Sequence, residues 1–378
     1  MEAELDQVVK FRRELHQHPE VSGKEFDTQK RIIDRLQQLG IRSIFAVGGT
    51  GVMVRFQGES PGKTVMLRAD TDALPIQEVN DFLHRSSFPG ISHKCGHDGH
   101  TAILYGVAKH LMNHPLQKGV VMLLFQPAEE NGEGAKAILN DLLFDFTPDF
   151  VFAFHNIPGY TLHKVVVRKD SFTAAAKSII IKIKGKTSHA AEPELGINPA
   201  KCIAEIISFF ESVSKPNIDA HDFALATPVF IKMGEKSYGV SAGYGEVHYT
   251  LRTWNNQVME NFTFKIMAGI NRITTDHRLD TEIEWTEEFF ANQNKPEIVD
   301  MIKSIAQEQD FDVEEKTTPF KWGEDFGLFT AKFSGAMFGI GSGEGCPALH
   351  NPDYDFPDQI IPTGIKMFTE LIERSIHE

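Results

Sequence analysis

The sequence predicts an α/β protein with a smaller α+β unit inserted into it, and three observations carry that expectation. Short, continuous apolar runs alternate with amphipathic helical segments through the first part of the chain, as strands covered on both faces do. Between about residues 177 and 290 the rhythm changes to strand, helix, strand, strand, helix, strand, the order of the ferredoxin-like unit. An apolar run at Ala336–Ile340 then returns to the first pattern.

The elements follow in order. Val8, Val9, Phe11 and Leu15, then Ile32, Ile33, Leu36 and Leu39, recur at helical spacing around a break at His18-Pro19, and Gly40 supplies the stop. Gly51 to Phe56 and Thr64 to Ala69 read as strands bounded by glycines. Thr101 to Met112 carries Ile103, Val107, Leu111 and Met112 on one helical face and ends before Pro115. Val120 to Phe125 and Phe150 to Phe154 are buried-strand runs. In the insert, Lys177–Lys184, Ala224–Met233, Glu246–Trp254 and Thr281–Trp285 read as strands, with helices over Asn198–Glu211 and Glu260–Thr275. Asn292 to Pro296 is the return linker. The expected domains are thus 1–176 with 291–378, and 177–290.

Composition narrows the function classes. A formal net charge of −14 without a basic run argues against nucleic acid or an anionic membrane as partner. Cys95, Cys202 and Cys346 make no disulfide framework, and no signal peptide or membrane span is visible, so a cytoplasmic location is expected.

The chemistry concentrates in Ser92-His93-Lys94-Cys95-Gly96-His97-Asp98-Gly99-His100-Thr101, where an irregular segment becomes a helix. A thiol and imidazoles this close, around a glycine, suit a transition metal. Cys95 and His97 are the expected ligands. His93 and His100 read as packing residues, and Asp98 as a helix cap. Further polar residues follow the strands: Asp70 after Thr64–Ala69, Glu129 and Glu130 after Val120–Phe125, His155 after Phe150–Phe154, and His350 after Ala336–Ile340. In open α/β sheets, ligands bind outside the carboxyl ends of the strands. Adjacent Glu129 and Glu130 point apart, so one can bind metal while the other moves protons. Asp70 reads as a turn residue or as a carboxylate that orients a histidine. His189, in the insert, reads as an exposed loop residue or as a donor to a developing oxyanion.

Taken in order, these segments resemble the M20 metallopeptidase superfamily, and within it the amidohydrolase branch of hippurate hydrolases, auxin-conjugate hydrolases and N-acetyldiaminopimelate deacetylases. The resemblance runs through Arg12–His16 with Pro19-Glu20, Arg68–Pro75, Cys95–Thr101, Phe125–Glu130, Gly185–Pro193, Glu324–Phe326 and Leu349-His350. It implies a catalytic domain with a mixed sheet flanked by helices, and an inserted lid and dimerisation domain. It implies two divalent ions, manganese, zinc or cobalt, held by Cys95, His97, Glu130, His155 and His350. It also implies Glu129 as general base and acid, Asp70 as the support of a ligand histidine, and His189 as the group stabilising the tetrahedral intermediate. Arg252, in Thr250-Leu251-Arg252-Thr253, is the candidate for the substrate carboxylate. The chain departs from the family pattern at Asn156, at Glu194 and through Ser241–Gly245, expected to be lid and rim positions that shape the substrate pockets.

The expected reaction is hydrolysis of the amide bond of an N-acyl amino acid, and a homodimer through the lid domain is expected. The rivals are an M20-type dipeptidase or carboxypeptidase, a cysteine hydrolase using Cys95, and a non-catalytic binding protein on the same fold. The intact Glu129 argues against the last.

Overall fold

The structure is a computed structural model and describes residues 2–377, with side chains from Glu4 onward. It divides into two compact units. One holds the residues up to Phe172, Asn292–Thr317 and the residues from Glu324 onward; the other holds Thr173–Ala291 and Thr318–Gly323.

The first unit is built on a mixed eight-stranded sheet. Across the sheet the strands run Ile44–Val47, Gly51–Gln57, Lys118–Gln126, Ser60–Asp70, Phe150–Ile157, Gly335–Gly341, Val165–Val167 and Val313–Glu315. The pairings among Lys118–Gln126, Ser60–Asp70, Phe150–Ile157 and Gly335–Gly341 are parallel. Their carboxyl ends therefore share one edge of the sheet, the edge where such folds bind ligands.

Side-chain alternation explains how a strand serves both core and site. Val65, Leu67 and Ala69 join a core with Phe11, Leu15, Leu36, Ile103, Val107, Ile302 and Phe368, contributed by the helices Glu2–Gln17, Phe26–Gln38, His97–Asn113, Pro296–Glu308 and Ile361–His377. Arg68 and Asp70 lie between those positions and face away from that core. Val121–Phe125 is buried throughout, which is why it lacks alternation. Among the described residues, no helix is long and apolar enough to cross a membrane.

The second unit is a four-stranded antiparallel sheet in the order Ala224–Met233, Tyr244–Thr253, Ala175–Lys184, Asp280–Phe289. With helices Ala200–Val213 and Asn256–Asp276 it has the β-α-β-β-α-β order of the ferredoxin-like unit. Ile179, Ile181, Ile183, Val247, Tyr249 and Leu251 pack against Ile206, Phe210, Ile266 and Ile270. The edge strand Ala224–Met233 exposes Val229, Phe230, Ile231 and Met233. Thr318–Gly323 joins this unit through the Ala174 N–H, which donates to the Phe320 carbonyl at 2.9 Å.

Candidate active site

The helix His97–Asn113 opens on Gly96, whose φ of 94° is in the left-handed region. A Cβ there would lie 2.5 Å from Asn156 Oδ1 and 2.9 Å from the Tyr354 hydroxyl. Only glycine meets both conditions, and this turn sets the directions of Cys95 and His97 on either side. Glu129 and Glu130 follow Ala128, another left-handed residue (φ 53°). The Ala128 N–H is held by Glu25 Oε1 at 2.8 Å.

The first unit brings together Asp70, Cys95, His97, Glu129, Glu130, His155 and His350. The ring of His97 is fixed by its Nδ1–H, which faces the Asp72 carbonyl (3.0 Å) and Asp72 Oδ1 (3.2 Å). That leaves Nε2, buried and without a hydrogen-bond partner, aimed at Glu130 Oε1 (3.8 Å), Glu129 Oε2 (3.9 Å) and Asp70 Oδ2 (3.7 Å). His155 donates its Nδ1–H to the Asn156 carbonyl (2.9 Å), turning Nε2 toward Cys95 Sγ at 3.5 Å. His350 Nε2 lies 3.6 Å from Glu130 Oε2.

These separations test whether the residues fit a metal. Ligand atoms about 2.0–2.3 Å from one tetrahedral ion lie roughly 3.3–3.8 Å apart. The nitrogen–oxygen and nitrogen–sulfur distances above cluster around that range, and most are too long for good hydrogen bonds. Glu130 Oε1 is, like His97 Nε2, buried and unpartnered. Ligand atoms of Cys95, His97 and His155, and of Cys95, Glu130 and His350, form two groups that share the thiol, each within 4.8 Å. The donor set of thiol, imidazoles and carboxylate suits divalent metal ions. The residues fit.

Electrostatics agree. Burial pulls the His97 pKa down, but Asp70, the Asp72 hydrogen bond and Glu130 outweigh it and raise it to about 10. Burial pushes Glu130 up to about 7 against the pull of His97. Burial also raises the Cys95 thiol, with Glu130 and Glu129 adding to it. Burial lowers His155 well below the usual imidazole range. A bound cation would relieve the excess of buried carboxylate that these shifts record.

Glu129 is buried, with the Asp325 N–H 3.4 Å from its Oε1. Burial, then the carboxylates of Glu324, Glu130 and Asp325, raise its pKa well above the usual range against the opposing pull of Arg68. Arg68 is fully buried and anchors this group. It donates to Gln126 Oε1 (2.9 Å), Asp70 Oδ2 (2.6 Å) and Asp325 Oδ1 (2.8 Å), and pairs with Glu324 Oε1 (2.9 Å).

Two carboxylates stand near the histidines: Asp72 reaches His97 Nδ1, while Asp70, expected to support a ligand histidine, accepts through Oδ1 from His100 Nδ1 at 2.6 Å and has Oδ2 3.7 Å from His97 Nε2. Asp70 ends its strand, whereas Asp72 lies past the end, where the chain has turned toward the helix. Asn156, expected at the substrate rim, is fully buried. Its Oδ1 lies 2.5 Å from His100 Nε2, and its Nδ2 donates to the Tyr354 hydroxyl at 2.6 Å. His100 is thus clasped on both sides. His93 belongs to no candidate ligand group among the described residues; burial lowers it to about 4, and neither ring nitrogen has a hydrogen-bond partner. Asp98 accepts from His16 Nδ1 (2.8 Å) and Arg12 (3.3 Å). Sequence reasoning missed Asp72, Arg68 and Asn156 as working parts; the run Arg68-Ala69-Asp70-Thr71-Asp72 was the available signal.

His189 and Arg252 lie in the second unit. His189 is exposed on a short strand paired with Val240. Its Nδ1 accepts the Ala191 N–H at 3.0 Å, so Nε2 carries the proton and is a donor. Arg252 donates through Nη1 to the Lys321 carbonyl at 2.7 Å.

Comparison with known proteins gives a consistent result. Residues 66–374 match the model of peptidase family M20/M25/M40. The N-acetyldiaminopimelate deacetylase of Priestia megaterium is 30% identical over 371 residues, covering 97% of this chain and 98% of the relative. The hippurate hydrolase of Campylobacter jejuni is 29% identical over 370 residues, covering 96% and 94%. The YXEP protein of Bacillus subtilis, a dinuclear metal binding peptidase from the M20 family, superposes with a TM-score of 0.85 at 26% identity, covering 100% of this chain and 99% of its own. A putative aminohydrolase from methicillin-resistant Staphylococcus aureus shares the fold with a TM-score of 0.90 at 23% identity, covering 99% and 97%.

Proposed function

This chain belongs to peptidase family M20/M25/M40, and on that premise we propose that it is a metal-dependent hydrolase of N-acyl amino acids. The observation that carries the reading is Glu129, a buried carboxyl beside the unpartnered atoms of His97 and Glu130. Two divalent ions, manganese, zinc or cobalt, held by Cys95, His97, Glu130, His155 and His350 would lower the pKa of a water from about 15.7 toward roughly 7 and polarise the acyl carbonyl.

The chain's own residues do the rest. Glu129 accepts the proton of the attacking water and returns it to the leaving nitrogen. An amine leaves poorly unless protonated, so one carboxyl must take the water's proton and then give it up, which a pKa raised toward the working pH favours. The burial and surrounding carboxylates that raise Glu129 supply that property. Asp72 keeps His97 in the tautomer whose Nε2 lone pair faces the site. His189, with its donor Nε2, is assigned to the oxyanion, and Arg252 to the substrate carboxylate.

Names of relatives support the substrate class: a deacetylase and a hippurate hydrolase both act on acylated amino acids. The cysteine-nucleophile rival is disfavoured because burial and Glu130 raise the Cys95 thiol rather than lower it. Cys95, Cys202 and Cys346 are all free, which fits a reducing compartment such as the cytoplasm. The exposed apolar edge Val229–Met233 favours a homodimer through the second unit.

The test is a screen of N-acetyl and N-benzoyl amino acids and dipeptides after reconstitution with Mn²⁺, Zn²⁺ or Co²⁺, run in parallel on Glu129→Gln. The variant should keep its metal and lose roughly 10²–10⁴-fold in turnover. Full activity in Glu129→Gln, or turnover of dipeptides alone, refutes the proposal.

A further inference from the structure

His350 differs from the other candidate ligands. Its side chain is 52% exposed, so packing does little to place it. Its backbone is left-handed (φ 66°), a conformation that residues with a Cβ hold only when their surroundings impose it.

Lys94 supplies that imposition. The Lys94 carbonyl accepts the His350 N–H at 2.7 Å. Its side chain, fully buried, reaches the same loop: Nζ donates to the Tyr354 carbonyl at 2.8 Å and to Glu78 Oε1 at 2.5 Å. Glu78 is itself held by His16 Nε2 (3.1 Å) and the Ser86 N–H (2.6 Å). One residue therefore ties down both ends of the His350–Tyr354 segment, and that residue immediately precedes Cys95. A buried ammonium–carboxylate pair is no better for stability than an apolar pair of the same shape. Its value here is geometric: Asn80 Nδ2 also donates to the Tyr354 carbonyl (3.2 Å), but Lys94 alone joins that carbonyl to the backbone that holds His350.

We propose that Lys94 is a positioning residue that sets the place of His350 relative to Cys95, and so governs the metal position that those two share with Glu130. This rests on the reading of Cys95, Glu130 and His350 as ligands. His97 and His155 are oriented independently, by Asp72 and by the Asn156 carbonyl. The effect of Lys94 falls on one ion and not on both.

The test is calorimetric titration of the metal-stripped full chain with Mn²⁺, and separately Zn²⁺, for the parent, Lys94→Met and the double variant Lys94→Met/Glu78→Gln, with thermal melts alongside. The parent should bind two equivalents. Both variants should bind one equivalent within about threefold of the parent and the other roughly 10–100-fold more weakly, the range for loss of a partner behind a ligand. The double variant removes both buried charges, so it separates ion placement from the cost of stranding Glu78. Equal weakening of both equivalents, or no weakening, overturns the proposal. So does a double variant that cannot fold, since Lys94 would then hold the fold and not the ligand loop. A parent that binds neither ion overturns the metal reading itself and the proposal with it.

Discussion

Replacing Asp72 by Asn removes a charge without changing shape, and the structure sets the size of the effect. Both carboxylate oxygens of Asp72 accept: Oδ1 faces His97 Nδ1 at 3.2 Å, and Oδ2 takes the Glu130 N–H (3.0 Å) and the Ser22 hydroxyl (2.7 Å). An amide has one acceptor, so either the Glu130 N–H or the His97 Nδ1–H must face an NH₂ group. The Ser22 hydroxyl can rotate to accept, and His97 keeps the Asp72 main-chain carbonyl at 3.0 Å. The cheaper orientation therefore keeps the oxygen on Glu130 and sacrifices the side-chain contact to His97. A weakened buried donor costs about 1–2 kcal/mol, which is roughly 5- to 30-fold in metal affinity. Competition titration against a chelating dye measures it, with Ser22→Ala as the control expected to change affinity less than about threefold. Parent-like affinity for both ions in Asp72→Asn, with the fold intact, would show that Asp72 does not orient His97.

Three further outcomes are expected. Burial pulls His16 down, but Asp98, with hydrogen bonds to Asp98 and Glu78, outweighs burial and raises its pKa to about 9 from 6.5; the resulting stabilisation, of order 3 kcal/mol, is complete below about pH 6.5 and is lost as pH rises through 9. Urea midpoints between pH 6 and 9.5 should fall in the parent, and an equal fall in His16→Gln would refute the assignment. Gly96→Ala places a Cβ in the left-handed region and 2.5 Å from Asn156 Oδ1, costing about 2–5 kcal/mol and displacing Cys95; a parent-like melting temperature would contradict this. Ile231→Lys on the exposed edge strand should convert a dimer to a monomer by light scattering, and a variant that stays dimeric excludes that edge as the contact.

What could be read from the sequence was set by distance along the chain. The strands Gly51–Gln57 and Lys118–Gln126 declare themselves as short apolar runs, and the helix His97–Asn113 through its local period. Val165–Val167 and Val313–Glu315 are too short for any period, and their pairing is visible only in space. Cys95 and His97 stand out in the sequence as one cluster around a glycine. Which of Asp70 and Asp72 serves His97 was not legible, since both lie in one run and the choice depends on where the strand ends. Arg68 and Lys94 were hidden for another reason. Residue type places such side chains at the surface, and only the carboxylates and carbonyls converging on them from distant segments make their burial tolerable. Asn156 read as a rim residue because it departs from the family pattern; its partners, His100 and Tyr354, come from elsewhere in the chain.

The position of Gly335–Gly341 has a consequence for biosynthesis. That strand lies inside the large sheet, between Phe150–Ile157 and Val165–Val167, although it is among the last to be made. A nascent chain that has passed Phe289 already holds every strand of the smaller sheet. The larger one still lacks an interior member, and at roughly 5–20 residues per second that gap lasts about 3–10 s. For that interval Phe152 and Phe154 stand without the neighbour that will cover them. In that interval the nascent chain presents an unpaired strand edge, the kind of surface that invites mispairing.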